Sequence, residues 1–370
     1  MSYIQISVFF VLALAVLFGS HYFLYFSSIK FFSFDLFWRR ILFGTVAFFS
    51  ISFILSAVLS QMSDVFPVRA YYILSNLWIG FAWNLLMAFT FAWAIIGISR
   101  FFDLDPNKMI LGLSFSVAAL VFSFYGIHNA LNPELKNISV KIPGLPSEWQ
   151  GKKIVYFSDT HFGDLHRGTL MSKVTEKINA VSPEMVFMAG DLFDTVHTDF
   201  SFLSEYLKTT RAEKGIYFVT GNHETYLGTE KIFDILGKAN VNILQNEVVD
   251  VSGLKIIGIS YPERNEKNNT AAIIKDLQDQ FYGQPNILLY HSPSYIREFK
   301  EAGVNLQLSG HTHKGQIFPF GYITRYIYNG FDYGLYSEVG YSIYTTSGAG
   351  TWGPLMRTGS RSEIVIITLQ

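Results

Sequence analysis

Residues 153–161 read KIVYFSDTH, a short β-branched and aromatic run that breaks into Ser158-Asp159-Thr160-His161. The same order, an apolar run and then a polar cluster, recurs down the chain. Met185–Ala189 leads into Gly190-Asp191-Leu192-Phe193-Asp194, and Ile216–Thr220 into Gly221-Asn222-His223-Glu224. Ile287–Tyr290 leads into His291, and Asn305–Leu308 into Ser309-Gly310-His311-Thr312-His313. Between the first two runs Leu170, Val174 and Ile178 recur at helical spacing, and Pro183 closes that segment. Lys255–Ile259, Ile343–Thr346 and Ile364–Leu369 complete the strand-like runs. Strands alternating with helices predict an α/β domain, in which ligand residues gather just past the strand ends.

Upstream the sequence changes character. The first 132 residues hold six basic side chains (Lys30, Arg39, Arg40, Arg69, Arg100, Lys108) and four acidic ones (Asp35, Asp64, Asp103, Asp105); the remaining 238 carry 22 and 25. A membrane helix needs about 20 mostly apolar residues, and four stretches meet that requirement: Ile4–Phe26, Ile41–Ser60, Ala70–Ser99 and Met109–Ile127. The first lacks the basic start and small-residue cleavage site of a removable signal. Trp38 beside Arg39 and Arg40 fits an interfacial anchor. Asn76 and Asn84, inside the third span, are expected to bond across helices. His21 and His128 are expected to face the interface. The predicted division is a transmembrane domain over 1–130, a linker over 131–136 and a soluble domain over 137–370. Ile138–Ile142 alternates before Pro143 and starts the soluble fold. A linker of nine residues, 128–136, spans at most ~30 Å, which keeps the soluble domain near the bilayer, with Lys136, Lys141, Lys152 and Lys153 available to anionic headgroups. Basic residues nearly balance on the two sides, so charge does not set the orientation.

Composition narrows the chemistry. Half of the 370 residues are hydrophobic and 17% are aromatic, which excludes disorder, and a net charge of −1 argues against nucleic acid as a partner. With no cysteine there is no disulfide framework, thiolate metal site or cysteine nucleophile. The clusters hold five of the nine histidines. Carboxylate and amide oxygens with imidazole nitrogens suit Mn²⁺, Fe or Zn²⁺. On extended backbone, residues two apart point the same way, so Asp159 with His161, and His311 with His313, are expected to reach one metal cluster.

The ordered set D-x-H, G-D-x-x-D, G-N-H-[DE], H, G-H-x-H resembles the calcineurin-like metallophosphoesterases, over about residues 137–370. Gly310–Phe320 and the Arg357…Glu363-Ile364 ending are similar to the YkuE/YaeI-type branch, which includes membrane-attached enzymes and a lipid A pathway hydrolase acting on UDP-diacylglucosamine. The resemblance implies a four-layer α/β/β/α sandwich behind an all-α membrane domain. It implies two divalent ions, Mn²⁺ first, with Asp159, His161 and His313 on one, Asn222, His291 and His311 on the other, and Asp191 bridging. It implies that His223 lies beside the scissile bond and that Asp194 orients its imidazole. Glu224 has a structural role by this reading. Lys314 departs from the branch, which usually shows glycine after the second motif histidine.

Three functions follow from different premises. One is a membrane-bound di-metal hydrolase of a phosphodiester or pyrophosphate, with membrane lipids and a phosphorylated lipid as partners. Another applies that chemistry to a soluble nucleotide, small molecule or phosphoprotein, with the spans as an anchor. The third is a sensor that only binds, which the complete ligand set disfavours. The expected location is the bacterial cytoplasmic membrane, with the catalytic domain on the cytoplasmic side. His166 and His197 are expected on solvated loops, Lys314 and Arg325 as surface charge or phosphate contacts, and the seven tyrosines of Tyr322–Tyr344 as packing or a lid against headgroups.

Overall fold

The computed structural model describes residues 3–166, 168–195, 200–263 and 268–370. It divides into two units: Met1–Ile127 with Gly353–Met356, and His128–Trp352 with Arg357–Gln370.

The first unit is built on four helices, α1 (Tyr3–Phe32), α2 (Leu36–Ser60), α3 (Phe66–Phe101) and α4 (Lys108–Leu131). Each is long and apolar enough to cross a membrane. Their outward surface is apolar too: Phe10, Val11, Phe43, Phe91, Ile98 and Phe124 are all exposed. Water would penalise such a surface, whereas hydrocarbon does not. Leu24, Phe31, Ala82, Phe89, Ala92 and Ile96 form the interior. Several polar groups inside bond across helices, which favours association in lipid. The Trp78 indole donates to His21 Nε2 (3.0 Å), Trp93 to Ser27 Oγ (2.9 Å), and Asn84 to Ser123 Oγ on α4 (2.8 Å). Asn84 thus bonds across helices as expected. Asn76 instead donates to the Tyr72 carbonyl of its own helix. His21 is buried beside Trp78 rather than facing an interface.

The second unit stacks two six-stranded sheets. In chain order its elements are β1 (Glu134–Val140), β2 (Lys153–Phe157), α5 (Gly168–Val181), β3 (Met185–Ala189), α6 (Ser201–Thr209), β4 (Ile216–Val219), α7 (Asn222–Leu227), α8 (Thr229–Gly237) and β5 (Asn242–Ile243). There follow β6 (Glu247–Val251), β7 (Leu254–Gly258), α9 (Thr270–Leu277), β8 (Asn286–Leu289), α10 (Ile296–Glu301), β9 (Leu306–Ser309), α11 (Gly321–Ile327), β10 (Gly334–Glu338), β11 (Tyr341–Thr345) and β12 (Glu363–Leu369). One sheet runs β1-β12-β2-β3-β4-β5, the other β10-β11-β9-β8-β7-β6. Strands β2 to β5 are parallel, as are β7, β8, β9 and β11.

Strand alternation divides the core into layers. Ile154, Tyr156 and Phe187 from one sheet meet Ile256, Ile287 and Leu306 from the other. The intervening residues Val155, Phe157 and Met188 face outward onto Leu170 and Val174 of α5, Leu203 of α6 and Leu236 of α8. On the far side Ile257, Leu288 and Ile343 pack against Ile274 and Phe299. Strands covered on both faces lose the polar alternation of a half-exposed sheet, so they read as continuous apolar runs. The four-layer α/β/β/α expectation holds.

The linker was expected to be longer. Helix α4 continues to Leu131 and β1 starts at Glu134, so the expected 131–136 linker shrinks to Asn132 and Pro133. The start of the soluble fold moves with it, because Glu134–Val140 pairs in register with Glu363–Leu369. Lys152 pairs with Glu184.

Trp149 tests the inner layer. It is fully buried in the intersheet core, and its indole donates to the Ser252 carbonyl (3.1 Å). Trp149→Ala should cost about 3–5 kcal/mol, seen as a lower unfolding midpoint of the full chain in detergent, and Trp149→Phe should lose less. An unchanged midpoint for the alanine variant would contradict this packing.

Candidate metal centre

Strands β2, β3, β4, β8 and β9 all end in polar loops at their C-terminal edges, where α/β sheets leave a crevice. Three of them belong to one sheet and two to the other, so the loops meet across the end of the sandwich. Glycine permits the crossing. A Cβ on Gly310 would collide with the Ser158 hydroxyl and the Asp159 carboxylate, and one on Gly221 with the Asp191 carboxylate.

Extended backbone is not what aims the side chains. Asp159 (φ 53°), His161 (46°), Asp191 (52°), His311 (71°) and His313 (50°) all lie in the left-handed region. The expected i, i+2 argument therefore fails in its premise, although the ligand atoms still converge. Non-glycine residues in sparsely populated backbone regions cost about 1–3 kcal/mol each, and such strain gathers at functional sites.

Ligand atoms of Asp159, His161 and His313 lie within 4.8 Å of one another, and so do those of Asp191, His291 and His311. Asp191 stands between the groups, with Oδ2 3.1 Å from His291 Nε2 and 4.0 Å from His161 Nε2. His161 and His313 approach through Nε2 at 3.1 Å, and His311 Nδ1 lies 3.3 Å from His291 Nε2. Asn222 Oδ1 is buried without a hydrogen-bond partner. A buried amide oxygen is costly unless something takes its lone pair. This mixed oxygen and imidazole set fits divalent cations.

The electrostatics favour neutral imidazoles at His311 and His313, and the charged form at His291 while Asp191 is its partner. Burial would lower His291, but the Asp191 carboxylate outweighs it and lifts the imidazole to about 10; burial opposes Asp191 too, yet His291 holds it far below the usual carboxylate range. Its Nδ1 lies 2.7 Å from the Ala189 carbonyl, which orients Nε2 into the site. Burial and the charge of His291 push His311 down to about 4. Burial, then His161 and Arg357, drive His313 well below its ordinary value. Neutral imidazole is the form that binds a metal.

His223 has another environment. Its Nδ1 lies 3.1 Å from Asp194 Oδ1, and the same oxygen is 3.5 Å from His161 Nδ1. Burial disfavours the His223 imidazolium, but the Asp194 contact and the Asp191 charge outweigh it, so its pKa rises.

Two residues beneath these loops hold them together. Glu224 is fully buried and accepts backbone N–H groups from Gly221 (2.7 Å), Asp191 (2.8 Å), Leu192 (2.7 Å) and Phe193 (3.3 Å). Arg357, also fully buried, donates to the Gly350 and His313 carbonyls, and its Nη2 lies 3.1 Å from His313 Nδ1. The sequence reading marked Arg357 only as part of the ending shared with one branch and gave it no role, because its partner lies 44 positions away. His166 is buried against Thr351 Oγ1 (2.7 Å), not solvated; His197 lies outside the described residues.

Residues 152–315 match the family model for calcineurin-like phosphoesterases. An uncharacterized metallophosphoesterase of Campylobacter jejuni is 35% identical over 71% of this chain and 70% of its own length. The chain belongs to the calcineurin-like phosphoesterases. A Bos taurus transmembrane protein with metallophosphoesterase domain is 34% identical over 68% of this chain and 60% of its own. The Bacillus subtilis metallophosphoesterase YkuE is 27% identical over 66% of this chain and 90% of its own. With four candidate spans, the chain is a membrane protein of this family, which uses a dinuclear metal site.

Glu224→Ala would strand four N–H groups and free two loops at once. The variant should hold less metal than wild type and unfold at lower temperature, while Glu224→Gln, which keeps one acceptor oxygen, should fall between. Full metal content in the alanine variant would show that the loops hold their shape without the carboxylate.

Proposed function

We propose that the protein is a membrane-bound di-metal phosphoesterase that hydrolyses a phosphodiester or pyrophosphate bond of a lipid-linked substrate. The observation that carries this reading is the pair of ligand clusters with the Asp191 carboxylate between them, and the His223–Asp194 pair alongside. By this reading Asp159, His161 and His313 would hold one ion and Asn222, His291 and His311 the other, with Asp191 available to both. Two divalent ions, Mn²⁺ first with Fe or Zn²⁺ as alternatives, supply Lewis-acid polarisation of phosphoryl oxygens and offset charge as it develops.

The chain's own groups do the rest. Asp194 accepts from His223 Nδ1 and fixes the ring plane, which leaves Nε2 as the edge that can donate a proton to the leaving oxygen. The Asp194 contact and the Asp191 charge raise the His223 pKa, which favours the protonated form that a general acid needs. Glu224 and Arg357 hold the loops and stay off the substrate.

Four spans exceed what anchoring needs, and that favours a substrate drawn from the membrane. A nucleotide-bearing lipid of the UDP-diacylglucosamine type fits, and would place the catalytic domain on the cytoplasmic face. Membrane lipids are the proposed partners, and nucleic acid is not one.

Metal analysis of the full chain should approach two ions, and Asp191→Asn should lose at least one. A saturated wild-type protein with a single ion would sink the two-metal reading. His223→Ala should keep its metals and lower kcat by about 10²–10⁴, the range for a general acid; near-normal turnover would remove His223 from the chemistry. With Mn²⁺ present, lipid pyrophosphates in mixed micelles should show higher kcat/KM than soluble phosphodiesters, and the reverse order would make the spans a plain anchor.

A further inference from the structure

Lys314 follows His313 directly, and its backbone is left-handed (φ 51°), a conformation that favours glycine. A lysine held there against that preference points to a role for its side chain. Its ammonium lies 4.0 Å from the centre of the Tyr333 ring, a cation–π contact that fixes the charge in place. That charge sits in the wall of a cavity of about 440 Å³, which Arg325, Tyr322, Phe318 and Asp332 also line. Among the described residues neither Lys314 nor Arg325 forms an ion pair. The Asp332 carboxylate accepts from the Thr324 hydroxyl (3.1 Å), so the cavity keeps two unpaired cations against one occupied anion.

The cavity shares structure with the metal-ligand loop. Thr312, between His311 and His313, donates to the Asp332 carbonyl (2.6 Å), and the Gly359 N–H donates to the Gln316 carbonyl (2.9 Å). The Tyr328 ring, just past α11, lies 6.2 Å from the His311 ring. On α11 itself Tyr322, Ile323, Tyr326 and Ile327 are exposed beside Arg325.

We infer that this cavity is a second phosphoryl subsite, in which Lys314 and Arg325 hold a phosphate next to the one that is cleaved. The inference rests on the phosphoesterase reading above and deepens it, because it selects substrates with two phosphoryl groups over those with one. Cations in a recess bind a phosphate through charge-assisted hydrogen bonds, and arginine can do so through two N–H groups at once. The second phosphate can come from a lipid pyrophosphate or from a soluble nucleotide, and the exposed apolar residues of α11 suit the lipid.

The test uses the full chain in detergent with Mn²⁺, as wild type, Lys314→Gly and Arg325→Gln. Glycine relieves the backbone strain, so Lys314→Gly is expected to fold. Three substrates are compared: bis(4-nitrophenyl) phosphate, a soluble nucleoside diphosphate sugar, and its diacylated form in mixed micelles. In each variant the ratio of kcat/KM for a two-phosphate substrate to that for the single-phosphate diester should fall about tenfold. A fall on both two-phosphate substrates supports a subsite indifferent to the source; a fall on the diacylated one alone supports it with the lipid as source. An unchanged ratio on both overturns it. Should wild type cleave none of the three, the phosphoesterase reading fails and a binding experiment decides the subsite alone. Inorganic phosphate is then titrated calorimetrically into the EDTA-treated full chain. Binding weakened about tenfold in the double variant sustains the subsite, and binding that is equal to wild type or absent from both overturns it.

Discussion

The centre depends on a carboxylate that, among the described residues, forms no ion pair. Glu224 accepts N–H groups from Gly221 at the end of β4 and from Asp191, Leu192 and Phe193 at the end of β3, which ties two neighbouring loops into one rigid piece. Burial and the nearby Asp191 charge raise its pKa, while the N–H groups oppose the rise. Such convergence of donors makes a carboxylate tolerable without a counter-ion. The consequence reaches Asp191, whose side chain stands between the two ligand groups and whose own N–H is one of the four. It reaches His223 as well, since the His223 N–H donates to Asp191 Oδ1 (2.9 Å).

Strain is the counterpart of that rigidity. Five of the histidine and aspartate residues in the two ligand groups sit in left-handed backbone, at about 1–3 kcal/mol each. Only over-determined surroundings sustain this. The Asp159 carboxylate accepts from the His311 N–H (3.0 Å), the His161 N–H donates to the Asp191 carbonyl (3.1 Å), and Arg357 fastens His313. Each loop is therefore held by another that comes from a different strand.

Sequence reading recovered what is local. Runs such as Ile154–Phe157 are apolar throughout because both faces of the strand are covered, and the polar clusters stand out because they interrupt those runs. The membrane helices were legible for the same reason, as long apolar runs between short charged turns. Pairings set by distant residues were not legible. Strand β5 has two residues and β10 is largely exposed, so neither carries a strong apolar pattern. Strand β1 starts at Glu134 because Ser362 accepts its N–H (2.8 Å), 228 positions later in the chain. His21 and His166 were misplaced because a histidine's burial depends on its partner, here Trp78 and Thr351. The candidate ligand residues lie together, yet the i, i+2 reasoning about their backbone was wrong, because left-handed conformations at aspartate and histidine leave no mark in residue type.

The last strand completes the first sheet of the second unit. Strand β12 inserts between β1 and β2, parallel to one and antiparallel to the other, so the first sheet has a gap until Glu363–Leu369 arrives. The same return secures the centre. The Ala349 and Gly350 N–H groups donate to the Ser158 and Asp159 carbonyls (2.9 and 2.8 Å), and Arg357 reaches His313 from the segment just before β12. Glu363, at the head of β12, accepts from the hydroxyls of Tyr333, Tyr344 and Thr346 and from the Ser347 N–H, which draws part of the tyrosine-rich segment onto the sheet. Loops that begin at residue 158 thus take their final shape only when residues 347–369 are in place.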